Sequence, residues 1–324
     1  MVEQELIHLQ DRFDLTLISE RMLRAIPDGV SAVELSPWRP FPATNPALRA
    51  LLRRFDLVHC HDSLGMMVAA RAAGKRFLVT SHGIAPIRLR PTTRSKVEGR
   101  ITLAAYPSLY RSADVVVAIS RYVATWVKEF AKVDAQFIPN GVAGVMPSIS
   151  SRPTERKLLY VGEISKRKGV ADLIDGLQAS PKDVSLDLVG RASPPSYWSD
   201  ASRSKLSDRI RFHGILEPAD LAHAYASAFC TCSASFWEGF GLPVLEGFSF
   251  GRPSVVRGQG GMLEQVEESG AGCCFQTPSE MAACIDVVTE NWEEFSKRGR
   301  EFASIHTWRE TFRAYGDLFQ RLLH

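Results

Sequence analysis

Phe236-Trp237-Glu238-Gly239-Phe240-Gly241-Leu242-Pro243-Val244-Leu245-Glu246 sets two carboxylates eight positions apart around a Gly-X-Gly turn. Glycine carries no side chain, so the turn lets backbone N–H groups approach a ligand closely. Pro243 suits the first position of a helix, where no N–H is needed. A helix opening there aims unpaired N–H groups and a partial positive charge outward, which suits a phosphate. On this reading Glu238 precedes the turn and Glu246 falls in the first helical turn. An ionised carboxylate only accepts hydrogen bonds, so each glutamate can hold hydroxyls, and a vicinal diol can engage both oxygens. Two hydroxyl acceptors flanking an anion pocket describe a nucleotide-sugar site.

Outward from this stretch, short apolar strands alternate with helical patterns. The first half offers strands at Leu15–Ile18, Ala32–Leu35, Leu57–Cys60, Phe77–Thr80, Val115–Ile119 and Gln136–Ile138, with helices such as Leu64–Ala73 and Ser120–Phe130 between them. Residues 147–156, rich in Ser, Pro and Arg, read as a linker. A second series follows, with strands Leu158–Val161, Ser185–Val189, Ile210–Phe212, Phe229–Cys232 and Ser254–Val256, and helices Val170–Gln178, Asp220–Ser227 and Pro243–Ser249. Such alternation predicts βαβ units and parallel sheets. Two halves of this kind predict an α/β chain of two Rossmann-like domains. Their ligands would bind beyond the C-terminal strand ends. Val2–Gln10 reads as a helix ahead of any strand, so either the chain starts late or its first domain is built without an opening strand and glycine loop. That absence would leave ladder groups exposed in its sheet.

Gly162-Glu163-Ile164-Ser165-Lys166-Arg167-Lys168-Gly169 follows the strand Leu158–Val161 and precedes a helix. With the Glu-X7-Glu stretch, it resembles the Gly-Arg-(X)4-Lys-Gly and Glu-X7-Glu elements of retaining glycosyltransferase family 4, the glycosyl transferases group 1. The resemblance implies a GT-B fold with an interdomain cleft. It gives an acceptor-side domain at 1–147, a nucleotide-sugar domain at 154–306, and a C-terminal helix at 307–324 that packs back on the first. It implies retaining transfer of a sugar, a hexosyltransferase-type activity. Glu238 would hold sugar hydroxyls and steady positive charge at the anomeric carbon. Lys168, with Arg167, would support departure of the diphosphate. His82, in Ser81-His82-Gly83, would touch the transferred sugar. Gly239, Phe240, Gly241 and Leu242 would present backbone to the donor, Glu246 would bind the ribose, and Gly190 and Ile215 would border the nucleotide. Asn140-Gly141-Val142 matches the family's interdomain crossover. Closure of the domains would exclude water. Where the family has Arg, this chain has Glu163, a reversed charge. That reversal and the missing glycine loop motivate an alternative, a GT-B-fold nucleotide-binding protein with impaired turnover.

His59-X-His61 could suggest a metal, since alternate strand residues share a face. No further carboxylate or Cys stands nearby at metal-ligand spacing, and cleft-lining or structural histidines are the preferred reading. No metal or other cofactor is expected. Gly247-Phe248-Ser249-Phe250-Gly251 fits the nucleophile elbow of serine hydrolases, but that elbow must follow a strand and precede a helix. Here the order is inverted, and Ser249 reads as the end of a helix with Gly251 capping it.

The 324 residues carry a net charge of +3. Residues 1–150 hold 19 Lys and Arg against 13 Asp and Glu, and the remainder holds 20 against 23. The basic half, with Arg88, Arg90, Arg94, Lys96 and Arg100 after His82, is compatible with a phosphate-bearing acceptor, an anionic membrane surface, or plain solvated charge. The expected partners are a UDP- or GDP-sugar and a glycan or lipid-phosphate acceptor, with peripheral membrane association and no nucleic acid. No apolar run approaches the roughly 18 residues that span a bilayer. The acidic N-terminus carries no signal-peptide pattern. Six cysteines without a Cys-X-X-Cys read as reduced thiols of a cytoplasmic protein. The inner face of the membrane is the further expected location.

Overall fold

The computed structural model describes residues 1–19, 27–34, 46–86, 89, 93–145, 151–193 and 208–324. The chain forms two compact units, Met1–Gly141 with Trp308–His324, and Val142–Thr307. Arg88 and Arg90, residues 147–150 of the expected linker, and the side chain of Arg94 lie outside the described residues.

In the first unit the strands are β1 (Thr16–Ser19), β2 (Ser31–Glu34), β3 (Val58–His61), β4 (Phe77–Ser81), β5 (Val115–Ala118) and β6 (Gln136–Phe137). They make two separate parallel sheets, β1-β2 and β3-β4-β5-β6. β4 lies between partners and all five of its residues are buried, which fits its unbroken Phe-Leu-Val-Thr-Ser run. The helix Trp308–Leu323 presents Phe312, Tyr315, Leu318 and Phe319 to Leu9, Leu78, Val117 and Ile138. Their spacing of three and four residues puts them on one helical face. The first helix, Val2–Leu9, precedes every strand. A groove of about 1810 Å³ runs between the two sheets, lined by Leu17 and Ile18 of β1, Val58 and His59 of β3, and Glu5 and Leu6 of that helix.

The second unit holds β7 (Arg156–Val161), β8 (Val184–Val189), β9 (Ile210–Gly214), β10 (Cys230–Ser233), β11 (Ser254–Arg257) and β12 (Gly272–Phe275). They form one parallel sheet ordered β12-β11-β10-β7-β8-β9. Leu158, Tyr160, Leu186, Leu188 and Cys230 pack there with Val170, Leu173, Ile174 and Leu177 of the helix Val170–Ala179. Because every strand runs the same way, the loops after β7, β8, β10 and β11 emerge at one edge.

The sequence patterns missed β12, whose Gly-Cys-Cys-Phe lacks β-branched residues. They also understated the helix Thr93–Ser112, which carries Pro107 in its interior. Proline removes a ladder N–H and ordinarily ends a helix, yet this helix continues through it to Ser112.

Candidate active site

The basic loop after β7 is shaped by two glycines. Gly162 donates its N–H to Val189 O at 2.9 Å, tying the loop to the end of β8. Gly169 adopts φ +67, and a Cβ there would meet Ala234 O at 2.0 Å. That close approach seats the 3₁₀ turn Lys166–Lys168 against the loop after β10, and Phe236 N donates to Arg167 O at 3.1 Å. The Lys168 ammonium consequently donates to Glu238 Oε2, with both side chains more than three-quarters covered. Glu163, at the position of charge reversal, lies 3.9 Å from Arg167, and its backbone O accepts from Tyr160 OH. This exposed pair contributes little stability, but it brings the reversed charge to Arg167 rather than to Lys168.

The helix predicted from Pro243 begins one residue earlier, at Leu242, with Gly241 as N-cap. Pro243 is therefore the second helical residue, and Glu246 stands beyond the first turn. Gly241 takes φ +92, and a Cβ would press on Met262 Cγ at 2.4 Å. Only glycine fits that left-handed turn against a packed side chain. Gln265 donates from Nε2 to Phe240 O at 2.5 Å and Gly241 O at 3.3 Å, and Gly261 N donates to Glu238 O at 3.0 Å. The helix Gly260–Ser269 thus holds the Glu238–Gly241 backbone from behind. Among the described residues, Ser165 Oγ and Gln265 Oε1 are buried without a partner.

Tyr225 OH donates to Glu246 Oε2 at 2.5 Å. Burial raises the Glu246 carboxyl above its ordinary value, and the Tyr225 hydrogen bond opposes that rise. Tyr225 in turn stacks on Phe250 at 5.4 Å, which fixes the hydroxyl. Gly190 lies against the loop after β7: its Cβ would meet Gly162 O at 1.9 Å, and its N–H donates to Gly214 O at 2.7 Å. Ile215, next in the chain, is 75% exposed beyond the strand ends. The second unit therefore gathers Lys168, Glu238, Gly239, Phe240, Gly241, Leu242 and Glu246, and sets Gly190 beside Gly162. Sequence reasoning missed Ser165, Tyr225, Gln265 and the Gly258-Gln259-Gly260-Gly261 loop. Of these, only the glycine run carried a local signal.

The first unit holds a separate polar cluster. Glu5, on the helix Val2–Leu9, accepts from His59 Nδ1 at 2.5 Å and pairs with His61 Nε2 at 2.8 Å. The neighbouring sequence offers no such carboxylate, and Glu5 arrives from 54 residues away. The three ligand atoms lie within 4.8 Å of one another. His59 Nε2 continues to Thr80 Oγ1 at 2.7 Å, which meets Tyr315 OH at 2.7 Å. Burial pushes the Glu5 carboxyl up, yet the charges and hydrogen bonds of His59 and His61 outweigh it and hold Glu5 well below the carboxylate range. His61 Nδ1 lies 3.3 Å from His82 Nε2. Burial first, then the neighbouring rings, lowers the His82 imidazole to about 3, so it is neutral at pH 7. Asp62 faces away from Glu5. At φ +45 it accepts His82 N–H at 2.6 Å and Tyr110 OH at 2.6 Å, which fixes the backbone at His82. Lys96 and Arg100 are exposed on the helix Thr93–Ser112.

Ser249 is buried at the end of the helix Leu242–Ser249 and donates to Glu246 O at 2.7 Å. Gly251 follows in the left-handed conformation and β11 comes next. This is the inverse of a nucleophile elbow, and the hydroxyl serves the helix end.

Comparisons with known proteins match this arrangement over both halves. Residues 155–291 match the family described as glycosyl transferases group 1, and residues 7–143 match glycosyltransferase family 4. The chain is 27% identical over 196 residues to O-antigen chain mannosyltransferase B of Escherichia coli, covering 56% of this chain and 51% of that one. It is 30% identical over 238 residues to the phosphatidyl-myo-inositol mannosyltransferase of Mycobacterium leprae (strain TN), covering 65% and 59%. It thus spans between half and three-fifths of these relatives. Among solved structures, it superposes on Anabaena HepE in complex with UDP and glucose with TM-score 0.78, 19% identity and 99% and 95% coverage. Sucrose-phosphate synthase from Thermosynechococcus elongatus gives 0.81, 19%, 99% and 92%. Those likenesses place the fold as GT-B, two Rossmann-like α/β units. The first half of the chain is thus similar to glycosyltransferase family 4 and the second to the glycosyl transferases group 1.

Proposed function

We propose that this chain transfers a sugar, with retention at the anomeric carbon, from a nucleoside diphosphate sugar to a glycan or lipid-linked acceptor. The observation that carries the reading is the Lys168–Glu238 pair beside the helix that opens at Leu242, with Glu246 farther along the same helix. Without ligand, ammonium and carboxylate neutralise each other. An arriving diphosphate competes for Lys168 and releases Glu238 to accept hydrogen bonds from sugar hydroxyls. Lys168 then faces the charge that grows on the leaving diphosphate, where a fixed cation lowers the barrier most. The helix N-terminus and the Gly239–Gly241 backbone add N–H donors at the same place.

Glu246 has one oxygen engaged by Tyr225, leaving the other for a ribose hydroxyl. A carboxyl raised by burial still accepts hydrogen bonds once ionised. His82, kept neutral, can donate or accept with the transferred sugar without adding charge. These roles call for no metal ion: Lys168 and the helix supply the charge that a cation would. Similarity to an O-antigen chain mannosyltransferase, to a phosphatidyl-myo-inositol mannosyltransferase and to HepE in complex with UDP and glucose supports a UDP- or GDP-sugar donor and a glycan or lipid-bearing acceptor here. The basic first half suits such an acceptor at the inner face of a membrane. Among the described residues no helix is long and apolar enough to cross one.

The test is calorimetry with UDP and GDP, then an assay for nucleoside diphosphate release from nucleotide sugars. Binding abolished by Lys168→Ala and release abolished by Glu238→Gln support the reading. Binding with no release from any nucleotide sugar would leave a nucleotide-binding protein instead.

A further inference from the structure

Two of the six cysteines meet in the second unit, away from the Lys168–Glu238 pair. Cys273 lies on β12, paired to Val255 of β11, and Cys284 lies on the helix Met281–Glu290 that packs against that strand. Their sulfur atoms are 2.6 Å apart. A disulfide needs about 2.05 Å, so closure takes only a small movement of two side chains. We propose that Cys273 and Cys284 form a reversible intramolecular disulfide when the protein meets a small-molecule disulfide.

The surroundings assign the two roles. Cys273 is half-buried and reachable, whereas Cys284 is buried. The hydrogen bond with Cys284, helped by the Cys274 N–H and opposed by burial, lowers the Cys273 thiol to about 7. The hydrogen bond with Cys273, and then burial, push the Cys284 thiol upward. Cys273 thiolate is thus the nucleophile. It attacks one sulfur of the small disulfide, forms a mixed disulfide and expels one thiolate. Cys284 then loses its proton and attacks Cys273 Sγ, expelling the second thiolate. The two protein sulfurs give up two electrons, and the small disulfide becomes two thiols.

The other cysteines are internal controls. Cys274 points to the opposite face of β12, and burial pushes its thiol up to about 12. Cys60, likewise raised to about 12 by burial, and Cys230 and Cys232 are buried. The bond would also reach toward the sugar-binding loop. It closes the segment containing Gln276, whose carbonyl accepts from Arg257 Nη1 at 2.7 Å, while Arg257 Nε donates to Ala234 O at 3.1 Å.

The test incubates the whole protein with oxidised glutathione, then alkylates under denaturing conditions and maps the peptides by mass. Expected are four alkylated thiols of the six, a loss of two hydrogens, and a linked Cys273–Cys284 peptide that dithiothreitol reverses. In Cys284→Ser the reaction stops with one glutathione on Cys273. In Cys273→Ser no link and no adduct form at Cys284. Oxidation of the wild type raises Tm by about 5 °C, and the serine variants show no rise. Six alkylated thiols after prolonged incubation, or a link through Cys274 in place of Cys273, would overturn the proposal.

Discussion

The second unit carries one continuous parallel sheet of six strands, and the first divides its strands between two sheets across a groove. In the second, the loops beyond the strand ends are tied by backbone hydrogen bonds: Gly162 to Val189, Gly190 to Gly214, Gly261 to Glu238. In the first, helix and strand are joined by side chains, Glu5 with His59 and His61. Loops tied by backbone keep their geometry whatever the pH. A polar cluster held by ionisable side chains depends on their protonation.

The largest effect that would sharpen this contrast is on transfer. Glu238→Gln is expected to lower kcat by about 10²–10³, the size of losing one group aimed at developing charge, with nucleotide affinity and Tm nearly unchanged. A comparable loss from a substitution confined to the first unit, such as Lys96→Ala, would break the assignment of chemistry to the second unit. Next, Glu246→Gln should weaken UDP or GDP binding roughly tenfold by calorimetry, because a hydrogen bond to a charged acceptor is worth about 1.5–3 kcal/mol. An unaltered Kd would remove the ribose from that carboxylate.

Hydrogen exchange reads the contrast directly. Amides of β1 and β3, which border the groove, should exchange about tenfold or more faster than those of β7 and β8 in the sheet interior. Equal protection in both units would mean that the divided sheet is no weaker.

Acid should act first on the first unit. His82 is lowered to about 3 from its ordinary 6.5, and Glu5 lies well below its ordinary 4.5. At pH values below 6.5 the unfolded chain therefore binds more protons than the folded one, so stability falls as pH falls. The His82 contribution is complete above 6.5 and is lost toward 3, and that of Glu5 is lost below 4.5. By calorimetry, the transition of the first unit should drop several degrees between pH 7 and pH 5, and His82→Asn should flatten that slope. The smallest effect is Ile215→Ala: an exposed side chain whose removal changes stability by less than about 0.5 kcal/mol, with any change confined to nucleotide affinity.

Much of the architecture was legible in local pattern. Strand runs such as Phe77-Leu78-Val79-Thr80 and the helix Trp308–Leu323 declare themselves within windows of a few residues, because side-chain period follows backbone geometry. Glycine positions were equally readable: Gly169 and Gly241 stand where only glycine tolerates the turn. The helix start was misplaced by one residue because Pro243 is accepted at either of the first two positions. Glu238 and Glu246 were named from their spacing around that helix. Tyr225, which bonds Glu246, and Gln265, which holds the Phe240 and Gly241 carbonyls, have no local signal at all.

Sequence alone determined the α/β alternation, the turn that presents a helix N-terminus to an anion, and the residue types able to hold a diphosphate and a diol. Tertiary structure decided which of them meet: Lys168 with Glu238 across 70 residues, Glu5 with His59 across 54, Cys273 with Cys284 between strand and helix. The physical reason is range. Dihedral preference and hydrophobic period act between near neighbours in the chain, whereas these pairings arise only when buried apolar surface packs distant elements side by side.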